Sequence, residues 1–172
     1  MAEWFKAHAW KVCVLSKVPW VRIPFSPPLN CYKSSYMKKN KIKFKDCFFY
    51  HVQDLPNHSK PTKGIYDLRG NVNKYLGNVE FKNKKVLELG PASGFLSFFM
   101  EKQGAKVSCV DLSTKKDSWD VVPNCRVNFK KYAKDHMRNI QQVQNSFWYS
   151  HKILNSKVKV FKTHINKLDK KS

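Results

Sequence analysis

The sequence predicts an α/β fold built on a parallel sheet, and three observations carry that expectation. Lys85 to Leu89 (KVLEL) and Lys106 to Val110 (KVSCV) are short, apolar, strand-like runs. Between them lie a glycine-bounded turn, Gly90 to Gly94 (GPASG), and a helical stretch, Phe95 to Gln103. Strand, turn, helix and strand within about 30 residues make a βαβ unit, which requires a parallel pair of strands.

The elements follow in order. Residues 1 to 28 show neither a period of 2 nor one of 3.6, and they hold Trp4, Trp10 and Trp20. Back-translated, Pro19 to Pro24 can be written CCG TGG GTT CGA ATC CCC, and Ala2 to Ala7 GCC GAG TGG TTT AAG GCN. The stretch resembles a serine transfer RNA gene read as codons. Residues 1–36 are therefore expected to be a non-native extension, with translation starting at Met37. Residues 37–82 form an N-terminal arm and helix. Within them, residues 42 to 55 carry short apolar alternations and Pro56 to Gly64 reads as a turn. Ile65, Leu68, Val72 and Leu76 have helical spacing, so a helix is expected over 65–76 despite Gly70. Residues 83–172 form the main domain. In it, Phe95, Phe98 and Phe99 face inward and Gly104 stops the helix. A long helix is expected over 127–154, and Lys157 to Phe161 (KVKVF) alternates as a third strand.

Composition excludes several classes of function. At 172 residues with 42% apolar content the chain can bury a core. No apolar run reaches the roughly 18 residues that cross a bilayer. Cys13, Cys31, Cys47, Cys109 and Cys125 are scattered and never spaced as CxxC. That argues against zinc and a disulfide framework, and fits a reducing cytoplasm. The net charge of +21 raises nucleic acid as a partner. Only Arg22, Arg69, Arg126 and Arg138 among the 33 basic residues are arginine, however. Lysine attracts phosphate without reading bases, so non-specific attraction is the extent of the expectation.

The βαβ unit builds a ligand site. A glycine turn lets a ligand approach the backbone, and the first helical turn aims its N–H groups at it. An acid ending the next strand, Asp111, can accept from ribose hydroxyls. The glycines at 90 and 94 are four apart with no third glycine, unlike the dinucleotide pattern G-x-G-x-x-G, which disfavours a nicotinamide cofactor. Glu88 stands two residues before the first glycine.

This arrangement, E-x-G-x-x-x-G closing a strand, then a helix, then a strand ending in Asp, resembles motifs I and II of class I S-adenosylmethionine-dependent methyltransferases. The flanking segments Tyr50-His51-Val52-Gln53-Asp54-Leu55-Pro56 and Gly64-Ile65-Tyr66-Asp67-Leu68-Arg69 are similar to a bacterial group near the tRNA wobble-uridine methyltransferases. The resemblance implies a Rossmann-like sheet of seven strands, of which this chain supplies about three, leaving one edge of KVLEL unpaired and the substrate-side loops missing. It implies S-adenosyl-L-methionine as cofactor. Gly90, Pro91, Ala92, Gly94 and Leu112 would form the cradle, with Ala92 where a middle glycine is common. Glu88 would anchor the loop or the cofactor's amino end, and Asp111 would hold the ribose. Arg69 and Trp119 would contact cofactor or substrate, and His51 is a candidate for catalysis. Thr163 or His164 stands where an acid near the adenine is common. The alternative is a basic binding module that associates with RNA or a protein partner.

Overall fold

The computed structural model describes residues 12–15, 42–111 and 129–162. Two sheets, whose pairings are parallel except at β1, and their helices make a mixed α/β architecture. The strands are β1 (Val12–Leu15), β2 (Phe49–His51), β3 (Gly64–Tyr66), β4 (Lys85–Leu89), β5 (Lys106–Asp111) and β6 (Lys159–Lys162). The helices are α1 (Val72–Tyr75), α2 (Phe95–Lys102) and α3 (Phe129–Ile153), and a 3-10 turn covers Phe44–Asp46.

The larger sheet has the order β1-β4-β5-β6. Its β4, β5 and β6 run parallel, with Glu88 opposite Cys109 and Asp111 opposite Lys162. These are the three strands that apolar alternation predicts. The edge of β4 expected to be open is instead paired: β1 lies antiparallel to it, with Val12 opposite Glu88 and Leu15 opposite Lys85. An exposed strand edge is a row of unpaired N–H and C=O groups, and the apolar run VCVL satisfies them. This strand falls in the segment where no periodicity predicts one.

The smaller sheet corrects a second expectation. The helix expected over 65–76 is replaced by β3 and the single turn of α1. Two local causes are visible. A Cβ on Gly64 would lie 2.4 Å from the Val52 nitrogen, so only glycine lets β3 approach β2 this closely. Next, the Asp67 carboxylate accepts from the Arg69 N–H at 3.1 Å, a side-chain bond that competes with helical pairing. The apolar spacing still marks the inner face, since Val72 is buried and Leu68 and Leu76 pack on the core, whereas Ile65 is exposed.

The core lies between the larger sheet and its two main helices. Val86, Val107, Cys109 and Val160 from the strands, with Val158 just before β6, meet Leu96, Phe98 and Met100 of α2 and Phe147 and Trp148 of α3. In α3, Gln144, Phe147, Trp148 and His151 are all buried, at the i, i+3, i+4, i+7 spacing of one helical face. The Phe147 ring sits 5.2 Å from both Phe98 and Trp148, which locks α3 to α2. No helix among the described residues is long and apolar enough to cross a membrane.

Candidate functional site

The site forms at the carboxyl ends of β4 and β5. Gly90 donates its N–H to the Val110 carbonyl at 2.8 Å, which sets the turn beside the end of β5. Gly94 then closes the turn by donating to Pro91 at 2.7 Å and starts α2 by accepting from Phe98 at 2.9 Å. Gly90 and Gly94 take positive φ of 70° and 85°, and Ala92 takes 48°. The left-handed conformation disfavours a Cβ, which gives the physical reason a glycine suits position 92. Ala92→Gly is accordingly expected to be neutral or stabilising by up to about 1 kcal/mol in urea denaturation, relief of strain being partly offset by chain entropy.

Gly94 offers no side-chain cap to α2, and among the described residues the first N–H of the helix with a carbonyl partner is that of Phe98. The turn is tied to β2 and the residues that follow it. Fully buried Ser93 accepts at Oγ from the Tyr50 and His51 N–H groups, at 3.2 and 3.3 Å. Gln53 donates from Nε2 to the Ser93 carbonyl at 2.7 Å. The upstream segment thus acts as a brace for the glycine turn, a role its sequence did not reveal.

Glu88 does not line the turn's open face. Its carboxylate is buried, accepts from the Ser97 hydroxyl of α2, and has the Cys109 thiol 3.9 Å away. Burial pushes its pKa up to about 7; the Ser97 and Cys109 hydrogen bonds act the other way and the Asp111 charge adds to the rise. Of its two expected roles, the geometry fits the anchor: Glu88 ties β4 to α2 beneath the loop.

Asp111 ends β5. It accepts at Oδ2 from Lys162 Nζ and from Gln144 Nε2, both at 2.9 Å. The side chains of Asp111 and Lys162 are only 15% and 9% exposed, so the pair is largely desolvated and depends on both partners. Lys162 and Gln144 went unrecognised in the sequence. The register that places Lys162 beside Asp111 exists only once β5 and β6 pair. Leu112, Trp119, Thr163 and His164 lie outside the described residues.

Arg69 is engaged within its own chain. Its guanidinium forks onto Asp67 at 2.9 and 2.7 Å and reaches Asp54 at 2.8 Å. The pairing holds the Asp67 carboxyl down at about 2. A ligand carboxylate at Arg69 would have to compete with two resident ones. His51 is buried, its ring 5.5 Å from Phe95 and 6.3 Å from Tyr66. Burial lowers its pKa to about 4, so the imidazole is neutral at pH 7. A groove of about 420 Å³ lined by Asp54, His58, Lys60, Lys102 and Leu154 opens near the far end of α2, away from the glycine turn.

Among the described residues no cluster of His, Cys, Asp or Glu has the makings of a metal site. Comparison with known proteins finds no matching family model, no matching curated protein and no matching solved structure.

Proposed function

We propose that the turn from Gly90 to Gly94, with Asp111, binds S-adenosyl-L-methionine, and that the chain is the cofactor-binding part of a Rossmann-like class I methyltransferase. One observation carries the reading. The glycine turn at the end of β4, the open first turn of α2 and the acid at the end of β5 converge, tied by the bond from Gly90 to the Val110 carbonyl. Nucleotides bind α/β sheets at the carboxyl ends of parallel strands, which supports the reading. The strand order β4-β5-β6 agrees with it.

The residues present fit the group. The backbone around Gly90 and Ala92 carries little side-chain bulk, and the α2 N-terminus favours a carboxylate. Asp111, oriented by Lys162 and Gln144, supplies an acceptor for ribose hydroxyls. S-adenosylmethionine itself brings a sulfonium methyl, already activated for transfer to a nucleophile. The protein's part in such a reaction is positioning, which this end of the sheet supports by bracing the loop with Ser93 and Gln53.

Calorimetric titration with S-adenosylhomocysteine tests the reading. Asp111→Asn removes the charge that strengthens hydrogen bonds to the ribose while keeping the side chain's shape. Such bonds contribute about 1.5–3 kcal/mol each, so affinity is expected to fall about tenfold or more. Absence of binding by the wild-type chain at millimolar ligand would sink the assignment.

A further inference from the structure

Strand β2, which braces the glycine turn, also carries an unexplained polar atom. His51 is 5% exposed, and its Nδ1 is buried with no hydrogen-bond partner among the described residues. An unmade hydrogen bond on a buried nitrogen costs about 1–3 kcal/mol, so its retention calls for a use. Its surroundings are specific. The His51 backbone N–H donates to Ser93 Oγ, inside the glycine turn, at 3.3 Å. The imidazole lies over the ring of Phe95, the first residue of α2, with planes tilted by 34°. Tyr50 packs edge-on at 4.9 Å. The orphan nitrogen and the uncapped helix terminus are two independent features of one place.

We propose that His51 is a ligand-contacting residue, whose Nδ1 accepts a hydrogen bond from the amino-acid end of a nucleoside sulfonium bound at the glycine turn. This rests on the reading of the site given above and adds the residue that recognises the ligand's ammonium. The division of labour follows from the chemistry. The open N–H groups of α2 suit the carboxylate of an α-amino acid. Its ammonium, on the adjoining α-carbon, donates and needs a hydrogen-bond acceptor. Neutral imidazole with its proton on Nε2 is such an acceptor at Nδ1. Glu88, the acid nearest in sequence, is turned inward to Ser97 and leaves that task open.

The test combines binding and folding. S-adenosylhomocysteine is titrated into the wild-type chain, His51→Asn and His51→Phe, and each ligand-free protein is melted by circular dichroism. The Asn carbonyl oxygen stands about where Nδ1 does, so His51→Asn is expected to bind within about threefold of wild type. His51→Phe keeps the ring's bulk without its nitrogen and is expected to lose about tenfold or more. Its ligand-free melting temperature should hold or rise, because an unsatisfied buried group has gone. Equal affinity of His51→Phe and wild type overturns the assignment. So does a ligand-free His51→Phe that melts lower while His51→Asn does not, since Nδ1 would then serve a partner within the fold. If the wild type itself binds nothing, the cofactor reading falls and takes this assignment with it.

Discussion

Gly94→Ala is expected to destabilise the protein by about 2–5 kcal/mol, a large part of the 5–15 kcal/mol that a domain usually has. Two terms add. The residue holds φ at 85°, where an added Cβ costs about 1–2 kcal/mol. That Cβ would also stand 2.4 Å from Phe98 Cε2 and 2.7 Å from Phe147 Cδ2. Both rings are buried and packed against each other at a tilt, so neither swings clear, and overpacking of this kind costs about 1–3 kcal/mol. Gly70→Ala is the control. Nothing lies within 4 Å of its would-be Cβ and its φ is not positive, so it is expected to be neutral or stabilising by about 0.4–1 kcal/mol. Urea denaturation of both variants measures the contrast. Equal midpoints would show that the α2 start tolerates a side chain, and that the turn is looser than its packing implies. Because Phe98 and Phe147 join α2 to α3, the substitution is also expected to weaken the proposed binding of S-adenosylhomocysteine beyond the loss from unfolding alone.

How much of this was legible in the sequence depends on the range of the interactions involved. The strands β4 and β5, the turn between β4 and α2, and the stop at Gly104 are local features, and KVLEL, GPASG and KVSCV announce them. The long helix and the third strand were also visible, because 3.6-residue and 2-residue periods run through them. Pairings between distant segments were not. Nothing in VCVL says that it will cover the edge of β4, since four apolar residues have no period long enough to read. The 65–76 stretch misled for a related reason. Its apolar spacing reports which residues face the core, but the Gly64 approach to Val52 and the Asp67 bond to the Arg69 N–H decide the backbone. In the site, Glu88 and Asp111 were identifiable as acids at strand ends. Their partners, Ser97 and Lys162, become neighbours only when the sheet and its helix are assembled. The same limit hid the inward turn of Glu88 and the engagement of Arg69 by Asp54 and Asp67.

Glu88 and His51 are expected to give the protein opposing pH dependences that conceal each other, and Glu88→Gln should expose them. The Glu88 carboxyl rises from 4.5 to about 7 on folding, chiefly through burial. A folded-state pKa above the unfolded one means that the stabilisation is complete below pH 4.5 and is lost as pH rises towards 7. The His51 imidazole falls from 6.5 to about 4, again through burial. Its contribution is complete above pH 6.5 and is lost as pH falls towards 4. At about 1.4 kcal/mol per pKa unit, each interval is worth on the order of 3 kcal/mol. Between pH 4.5 and 6.5 the slopes have opposite signs, so the wild-type stability from these two groups is nearly flat there. Gln at position 88 still accepts from the Ser97 hydroxyl through its amide oxygen but cannot ionise. At pH 8 the variant is therefore expected to be more stable than wild type by about 2–3 kcal/mol, and at pH 4.5 nearly equal to it. Its stability should climb from pH 4 to 6.5, the slope of His51 together with that of His136, whose pKa burial also lowers. Urea midpoints measured from pH 4 to 8 provide the check. A Glu88→Gln variant destabilised by the same amount at every pH would show that the fold requires a carboxylate there, and the burial argument for Glu88 would be wrong.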